Sequence, residues 1–176
     1  MNIPEVTFRT REGDVNFFRK CGFGGEWKDK TTDDYFKDKK VVLFALPGAF
    51  TPTCYQHHLP EYEEKYDEMK SLGIDEIYVL SVNDTFVMNS WMEAMKAKKV
   101  KAIADGEGKF TKGMGMLVNK PKQGFGMRSW RYSALIDNGE VKKMFIEEGK
   151  NDESNDDDPF KVSDANTMLN YLKEAK

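Results

Sequence analysis

Two runs of β-branched and apolar residues constrain this chain most, "KVVLFAL" (40–46) and "EIYVLSV" (76–82). Each is continuous rather than alternating, the pattern of a strand buried on both faces. Between them, residues 52–70 read as a helix interrupted at Pro60, with Leu59, Tyr62, Tyr66 and Met69 along one face. Two buried strands joined by a crossover of this length predict a right-handed βαβ unit with parallel strands. "DTFVMNSWMEAMKA" (84–97) predicts a second amphipathic helix capped by Asp84. Asn138-Gly139 then separates "YSALID" from "EVKKMFI", a strong hairpin signal. In the closing helix, "SDANTMLNYLKEA", Ser163 is the expected cap, and Val162, Met168, Leu169 and Leu172 supply the apolar face. A βαβ unit, an antiparallel hairpin and a last helix follow the order of a thioredoxin-like α/β sandwich, a mixed central sheet with flanking helices. Residues 1–176 are expected to form one such domain.

The remaining segments carry weaker signals. Ile3 to Phe8 alternates as an edge strand would, residues 11–30 read as a loop around "CGFGGEW", and Asp33–Phe36 suits a short helical turn. The formal net charge is −3, so no cationic field calls for nucleic acid. "EEGKNDESNDDD" (147–158) is strongly acidic and is expected to be a solvated loop, as "KAKKVK" (96–101) is expected to be a solvated helix end. No apolar run approaches the roughly 20 residues of a membrane span, and the N-terminus lacks the basic-then-apolar order of a signal peptide. A cytoplasmic location follows as the expectation, and there the two cysteines stay reduced.

The chemistry concentrates in "ALPGAFTPTCYQHHLP" (45–60), which holds Cys54 and both histidines. Thr51 suits the N-cap and Pro52 the first helical position, where no N–H is needed. Cys54 is then third in the helix, facing unpaired N–H groups and the positive end of the dipole. Such a position favours the thiolate, the nucleophilic form. The dipole alone is too weak. A thiol with the ordinary pKa of about 8.5 is only about 3% ionised at pH 7. Reaching roughly 90% takes about 3.4 kcal/mol, whereas a helix terminus contributes ~0.3–1 and rarely ~2 kcal/mol. A cation from elsewhere must contribute the rest, and "GFGMRSWRY" offers two candidates, Arg128 and Arg131. Where disulfide oxidoreductases of this fold carry C-x-x-C, the chain has T-x-x-C, with Thr51 in the first place. A hydroxyl there suits holding an oxygen substrate against the sulfur.

"PGAFTPTC" matches the P-x-x-x-T-x-x-C pattern of the peroxiredoxins, with Pro47, Thr51 and Cys54 in register. Together with "HLP" (58–60), "SVNDTFVMNSW" (81–91), "RSWRY" (128–132) and "DPFKVSDANTMLNYL", it resembles the type-five (type II) branch, above all the peroxiredoxin domain of bacterial peroxiredoxin–glutaredoxin hybrids. The resemblance spans Ile3 to Leu172. It implies a thiol peroxidase acting on hydrogen peroxide and alkyl hydroperoxides, with no metal or organic cofactor. Cys54 is then the peroxidatic cysteine, cycling through a sulfenic acid. Thr51 would hydrogen-bond the peroxide, Arg128 would hold the thiolate and the developing oxyanion, Pro47 would wall the pocket, and His58 would support it. The family also implies a homodimer with its interface near the site.

The sequence departs from the family at the resolving thiol. The strand "EIYVLSVND" lacks the second cysteine of plant members, the late cysteine of animal members is missing, and no glutaredoxin segment occurs within these residues. The expectation is a one-cysteine cycle reduced by an external thiol: glutathione, glutaredoxin or thioredoxin. Cys21 is a candidate resolving thiol, weighed against an incidental surface cysteine. Three rivals stand beside the peroxidase. A zinc site would need Cys54, His57, His58 and remote Cys21, and adjacent helical histidines point about 100° apart. A cysteine hydrolase would need one of those histidines as base, at strained spacing. A peroxide-responsive sensor or binding protein would use the same sulfenate without turnover.

Overall fold

The computed structural model describes residues 1–13 and 25–175; Cys21 lies outside them. In chain order the elements are β1 (Thr7–Glu12), β2 (Glu26–Thr31), α1 (Thr32–Phe36), β3 (Lys40–Ala45) and a π-helical turn (Cys54–His58) running into α2 (Leu59–Ser71). Next come β4 (Glu76–Ser81), α3 (Thr85–Ala94), β5 (Lys101–Ala104), α4 (Lys109–Gly113) and β6 (Leu117–Lys120). β7 (Gly126–Ser129), β8 (Tyr132–Asp137), β9 (Glu140–Ile146) and α5 (Ala165–Glu174) complete the described chain.

The central sheet runs β5-β4-β3-β8-β9. The two apolar runs are β3 and β4, paired in parallel, with β5 parallel to β4. β8 lies antiparallel to β3 and β9 antiparallel to β8. The β8–β9 turn places Asn138 and Gly139 at φ +47° and +81°, the left-handed pair that a two-residue hairpin requires. Alternate residues of β3 feed two cores. Val42, Phe44 and Leu46 pack with Leu59, Tyr62 and Met69 of α2, with Trp91 of α3 and with Leu169 of α5. Val41, Leu43 and Ala45 face Phe8, Tyr35, Phe36, Phe110 and Val118. This is the expected thioredoxin-like sandwich, and burial on both faces is why β3 and β4 read as continuous apolar runs.

Other expectations shift. The first strand is Thr7–Glu12 rather than Ile3–Phe8; Asn2 forms only an isolated bridge to Glu140. Part of the supposed loop 11–30 is strand, because β2 pairs antiparallel with β1. β2 shows no apolar alternation. Cross-strand charges hold it instead: Lys30 lies 2.6 Å and Lys28 3.4 Å from Glu12, and Arg9 lies 3.0 Å from Asp29. Asp84 does cap α3, accepting from the Val87 N–H at 2.9 Å, but the helix ends at Ala94. "KAKKVK" follows it as a turn in which the Lys98, Lys99 and Val100 N–H groups donate to the Glu63 carboxylate. The last helix is capped by Asp164, which accepts from Thr167, while Ser163 is buried against Glu147.

The Pro60 interruption takes a specific form. Proline's ring clashes with the carbonyl four residues back and its nitrogen cannot donate. The chain widens before it: the Leu59 N–H donates to the Cys54 carbonyl, five residues back, and the α-helix resumes from there. Such π-turns cluster at functional positions, and this one begins at Cys54.

Candidate active site around Cys54

β3 delivers the chain to Leu46 at the end of the central sheet, and the loop 47–51 turns it into the helix. Asn83, just beyond β4, pins that loop by accepting from the Ala49 N–H at 3.0 Å and from the Ser81 hydroxyl. Helical structure begins at Pro52, with Thr51 still outside it. The Tyr55 N–H donates to the Thr51 carbonyl at 2.9 Å, so Cys54 occupies the first turn as the spacing predicts. Its side chain is fully buried, 0% exposed. Gly48 packs closely against the Arg128 and Thr51 side chains: a Cβ there would lie 2.7 Å from Arg128 Nη1 and 3.1 Å from Thr51 Cγ2.

Two donors converge on the sulfur. Thr51 Oγ1 lies 2.9 Å from Cys54 Sγ and 2.7 Å from the Gly48 carbonyl, so one hydroxyl hydrogen serves two acceptors. Arg131 Nη2 donates to Sγ at 3.4 Å. The expected partner, Arg128, is occupied elsewhere: its Nε donates to the Phe125 carbonyl at 3.1 Å and its Nη1 to the Pro47 carbonyl at 3.2 Å. The correction has a register cause. Ala45 at the end of β3 pairs with Tyr132 at the start of β8, so the residue before Tyr132 falls beside Leu46 and the cysteine loop. Arg128 sits on β7, in a separate two-stranded sheet with β6. Trp130 anchors the connection, its backbone N–H donating to Met116 and its indole N–H to Glu147.

Arg131 is 1% exposed and is held on several sides. Nη1 donates to His58 Nδ1 at 2.9 Å, Nη2 donates also to Asp158 Oδ1 at 2.7 Å, and the guanidinium lies 5.7 Å from the centre of the Phe160 ring. Burial opposes its charge, yet Cys54 and Asp158 outweigh burial and hold its pKa above the ordinary arginine value. Arginine can only donate, so His58 Nδ1 is an acceptor and its Nε2–H donates to the Ser163 carbonyl at 3.0 Å. Burial first, then the facing guanidinium, push the His58 pKa well below its ordinary value, against the pull of the Ser163 carbonyl. This neutral histidine has both ring nitrogens engaged and none turned to the sulfur, which leaves the hydrolase reading without its base. His57 is exposed and its ring faces Phe160 at 6.5 Å. Among the described residues no group of three or more His, Cys, Asp or Glu side chains could hold a metal ion. Likewise, no helix among them is long and apolar enough to cross a membrane.

Sequence reasoning missed the inward-turned carboxylates of the acidic segment. Glu148, Asp152, Glu153 and Asp157 are exposed as a solvated loop would have them, but the segment also brings Asp158 to Arg131, Asp156 to the buried Lys120, and Glu147 to the backbone of residues 161–163. The only trace in the sequence is the density of carboxylates itself, which has no periodicity to show which of them turn inward.

The described geometry can be set beside known proteins. The family model Redoxin matches residues 11–169. The chain is 54% identical to the hybrid peroxiredoxin hyPrx5 of Haemophilus influenzae, over 97% of this chain and 64% of that longer relative. It is 52% identical to the peroxiredoxin sll1621 of Synechocystis, over 99% and 90% of the two chains. Among solved structures, the antioxidant protein (1-Cys peroxiredoxin) of Plasmodium falciparum superposes with TM-score 0.88 at 37% identity, covering 99% of this chain and 98% of that one. Reduced Prx3 of Vibrio vulnificus in complex with hydrogen peroxide gives 0.83 at 37% identity, with 99% and 95% covered.

Proposed function

We propose, from the premise that this chain belongs to the peroxiredoxin family and is a thiol peroxidase, that Cys54 is its peroxidatic cysteine. The observation that carries this is the convergence on one buried sulfur of a hydroxyl at 2.9 Å and a guanidinium at 3.4 Å, at the start of a helix. The thiolate attacks the terminal oxygen of a hydroperoxide. An S–O bond forms, the O–O bond breaks, and the electron pair leaves with the distal oxygen as alkoxide or hydroxide. That leaving group takes a proton to become alcohol or water, and Cys54 is left as the sulfenic acid.

Each neighbour has a task consistent with its position. Arg131, in place of the expected Arg128, neutralises the thiolate and the oxygen that gains charge as O–O cleaves. Thr51 donates to the sulfur before reaction and orients the peroxide during it. Pro47, buried beside the cysteine loop, walls the pocket, while Arg128 braces that wall through the Pro47 carbonyl. His58 supports Arg131 and stays neutral while doing so. The cycle runs with one cysteine of the chain, an external thiol (glutathione, with glutaredoxin) reducing the sulfenic acid. Exposed Phe50 and Tyr55 on the cysteine loop and helix and exposed Met127 beside Arg128 supply an apolar rim suited to a homodimer interface near the site.

Cys54→Ser is expected to abolish hydrogen peroxide consumption with a thiol donor, and Cys21→Ser to leave most of it. Peroxidase activity retained in the Cys54 variant would overturn the assignment. Steady-state rates with glutathione alone, glutathione plus glutaredoxin, and thioredoxin test the reductant; turnover with thioredoxin alone would refute the glutathione route.

A further inference from the structure

The acidic segment reaches the cysteine through one residue. Asp156 accepts from Lys120 Nζ with both oxygens at 3.1 Å, and this lysine is buried, 2% exposed. Asp156 Oδ1 also accepts the backbone N–H of Asp158 at 3.0 Å. Asp158 adopts φ +50°, a left-handed conformation that a non-glycine residue holds only when its surroundings require it. So placed, its Oδ1 lies 2.7 Å from Arg131 Nη2, the same nitrogen that lies 3.4 Å from Cys54 Sγ.

We propose that Asp158 is a positioning residue for the peroxide-reducing step, holding the Arg131 guanidinium in the orientation that presents Nη2 to Cys54. The proposal rests on the roles assigned above to Cys54 and Arg131. Nη2 carries two hydrogens in the guanidinium plane. Asp158 takes one, which turns the other toward the sulfur. His58 holds Nη1, and a guanidinium held there alone would pivot about that contact. Asp158 also serves after chemistry. Once the thiolate has become a neutral sulfenic acid, Arg131 remains a buried cation, and Asp158 is the anion still paired with it. The arginine is thereby kept in register for the next turnover. Among the described residues, the charged and titratable side chains bonded to the guanidinium beside Cys54 are His58 from the π-turn and Asp158 from the acidic segment, while Arg128 of β7 is turned to the Phe125 and Pro47 carbonyls. The Glu147 carboxylate, in contrast, is turned to the N–H groups of Lys161, Val162 and Ser163.

Asp158→Ala removes the acceptor, and Asp158→Asn keeps an oxygen there without the charge. Both are compared with the unaltered protein in two assays: the single-turnover rate constant with hydrogen peroxide, and the pH profile of Cys54 alkylation by iodoacetamide, read on the Cys54 peptide. Thermal unfolding confirms that each variant is folded. The Ala variant is expected to lose roughly tenfold in rate, less than the about 10²–10³ lost when a donor to the reacting oxygen itself is removed. Its alkylation midpoint should also move to higher pH, because losing the Nη2 contact costs the thiolate more than it gains from removal of the carboxylate that shares that nitrogen. The Asn variant should return to within about threefold of the unaltered rate, with its midpoint at or below that of the unaltered protein, since the orientation is kept while the competing charge is gone. An Ala variant unchanged in both assays overturns the proposal. So does a rate loss with no movement of the alkylation profile, which marks a merely structural role, and so does an Asn variant as impaired as Ala. Cys54→Ser separates the two layers. If it still turns over peroxide, the site assignment fails; if it is inactive while Asp158→Ala is unimpaired, only the Asp158 inference fails.

Discussion

Replacing Arg131 with lysine while leaving Arg128 alone, and the reverse, separates the two arginines that lie three residues apart in the sequence. At the observed 3.4 Å between Arg131 Nη2 and Cys54 Sγ, the Coulomb attraction between a thiolate and the guanidinium is about 5 kcal/mol at an effective dielectric near ~20. Asp158, 2.7 Å from the same nitrogen, draws on part of this attraction, so the full figure is an upper bound. Lysine keeps the charge but cannot serve Cys54, His58 and Asp158 at once, because its ammonium lacks the planar fork. Arg131→Lys should therefore lower the second-order rate constant for hydrogen peroxide by about 10²-fold, within the range for loss of a donor to the reacting oxygen. Arg128→Lys should stay within about threefold, since Arg128 contacts the Phe125 and Pro47 backbone carbonyls and not the sulfur. Stopped-flow single turnovers of the pre-reduced protein measure both. A large loss in the Arg128 variant beside an unimpaired Arg131 variant would refute the placement of the cation.

The other predictions address the remaining neighbours and the acidic segment. Thr51→Val removes the hydroxyl at nearly constant volume and should cost about 10² in the same rate constant, with Thr51→Ser recovering most of it. Glu147 accepts from three backbone N–H groups and the Ser163 hydroxyl. Although burial raises its pKa, the Ser163 hydroxyl and those N–H groups outweigh burial and hold it below the ordinary 4.5. Its contribution to stability is therefore complete above the unfolded-state value and is lost as pH falls through the lower folded value. Glu147→Gln should flatten that acid limb in urea titrations and destabilise the protein at neutral pH by about 1–3 kcal/mol. Lys120→Met leaves the carboxylate of Asp156 without its partner in a buried position, and should cost about 3–5 kcal/mol by urea unfolding. Adding Asp156→Asn should recover part of that loss.

The core sheet was legible because its constraints are local or strictly periodic. β3 and β4 are continuous apolar runs, α2 shows Leu59, Tyr62, Tyr66 and Met69 at helical spacing, and Asn138-Gly139 is a turn that few other conformations accept. The helix start at Pro52 and the place of Cys54 in its first turn were equally readable, since they depend on adjacent residues, although the Thr51 hydroxyl goes to the Gly48 carbonyl and Cys54 Sγ rather than to a helix N–H. β2 was not, because charge pairs with β1 hold it and no apolar pattern marks it. The boundary at Pro60 was visible, but the π-turn that accommodates it was not.

What the sequence determined by itself is the candidate cysteine and its immediate scaffold: a thiol in the first turn of a helix behind a buried parallel strand, with a hydroxyl three residues before it. The tertiary structure decided which charges reach that sulfur. Arg128 and Arg131 are equivalent as letters, and the antiparallel register of β3 against β8 carries Arg131 to the cysteine loop and leaves Arg128 on the Phe125 and Pro47 carbonyls. The seven acids of residues 147–158 are likewise indistinguishable in composition, and only the folded path sends Asp158 to Arg131. Capping and helical periodicity act over a few neighbouring residues, whereas a Coulomb contact depends on distances that only the packed chain defines.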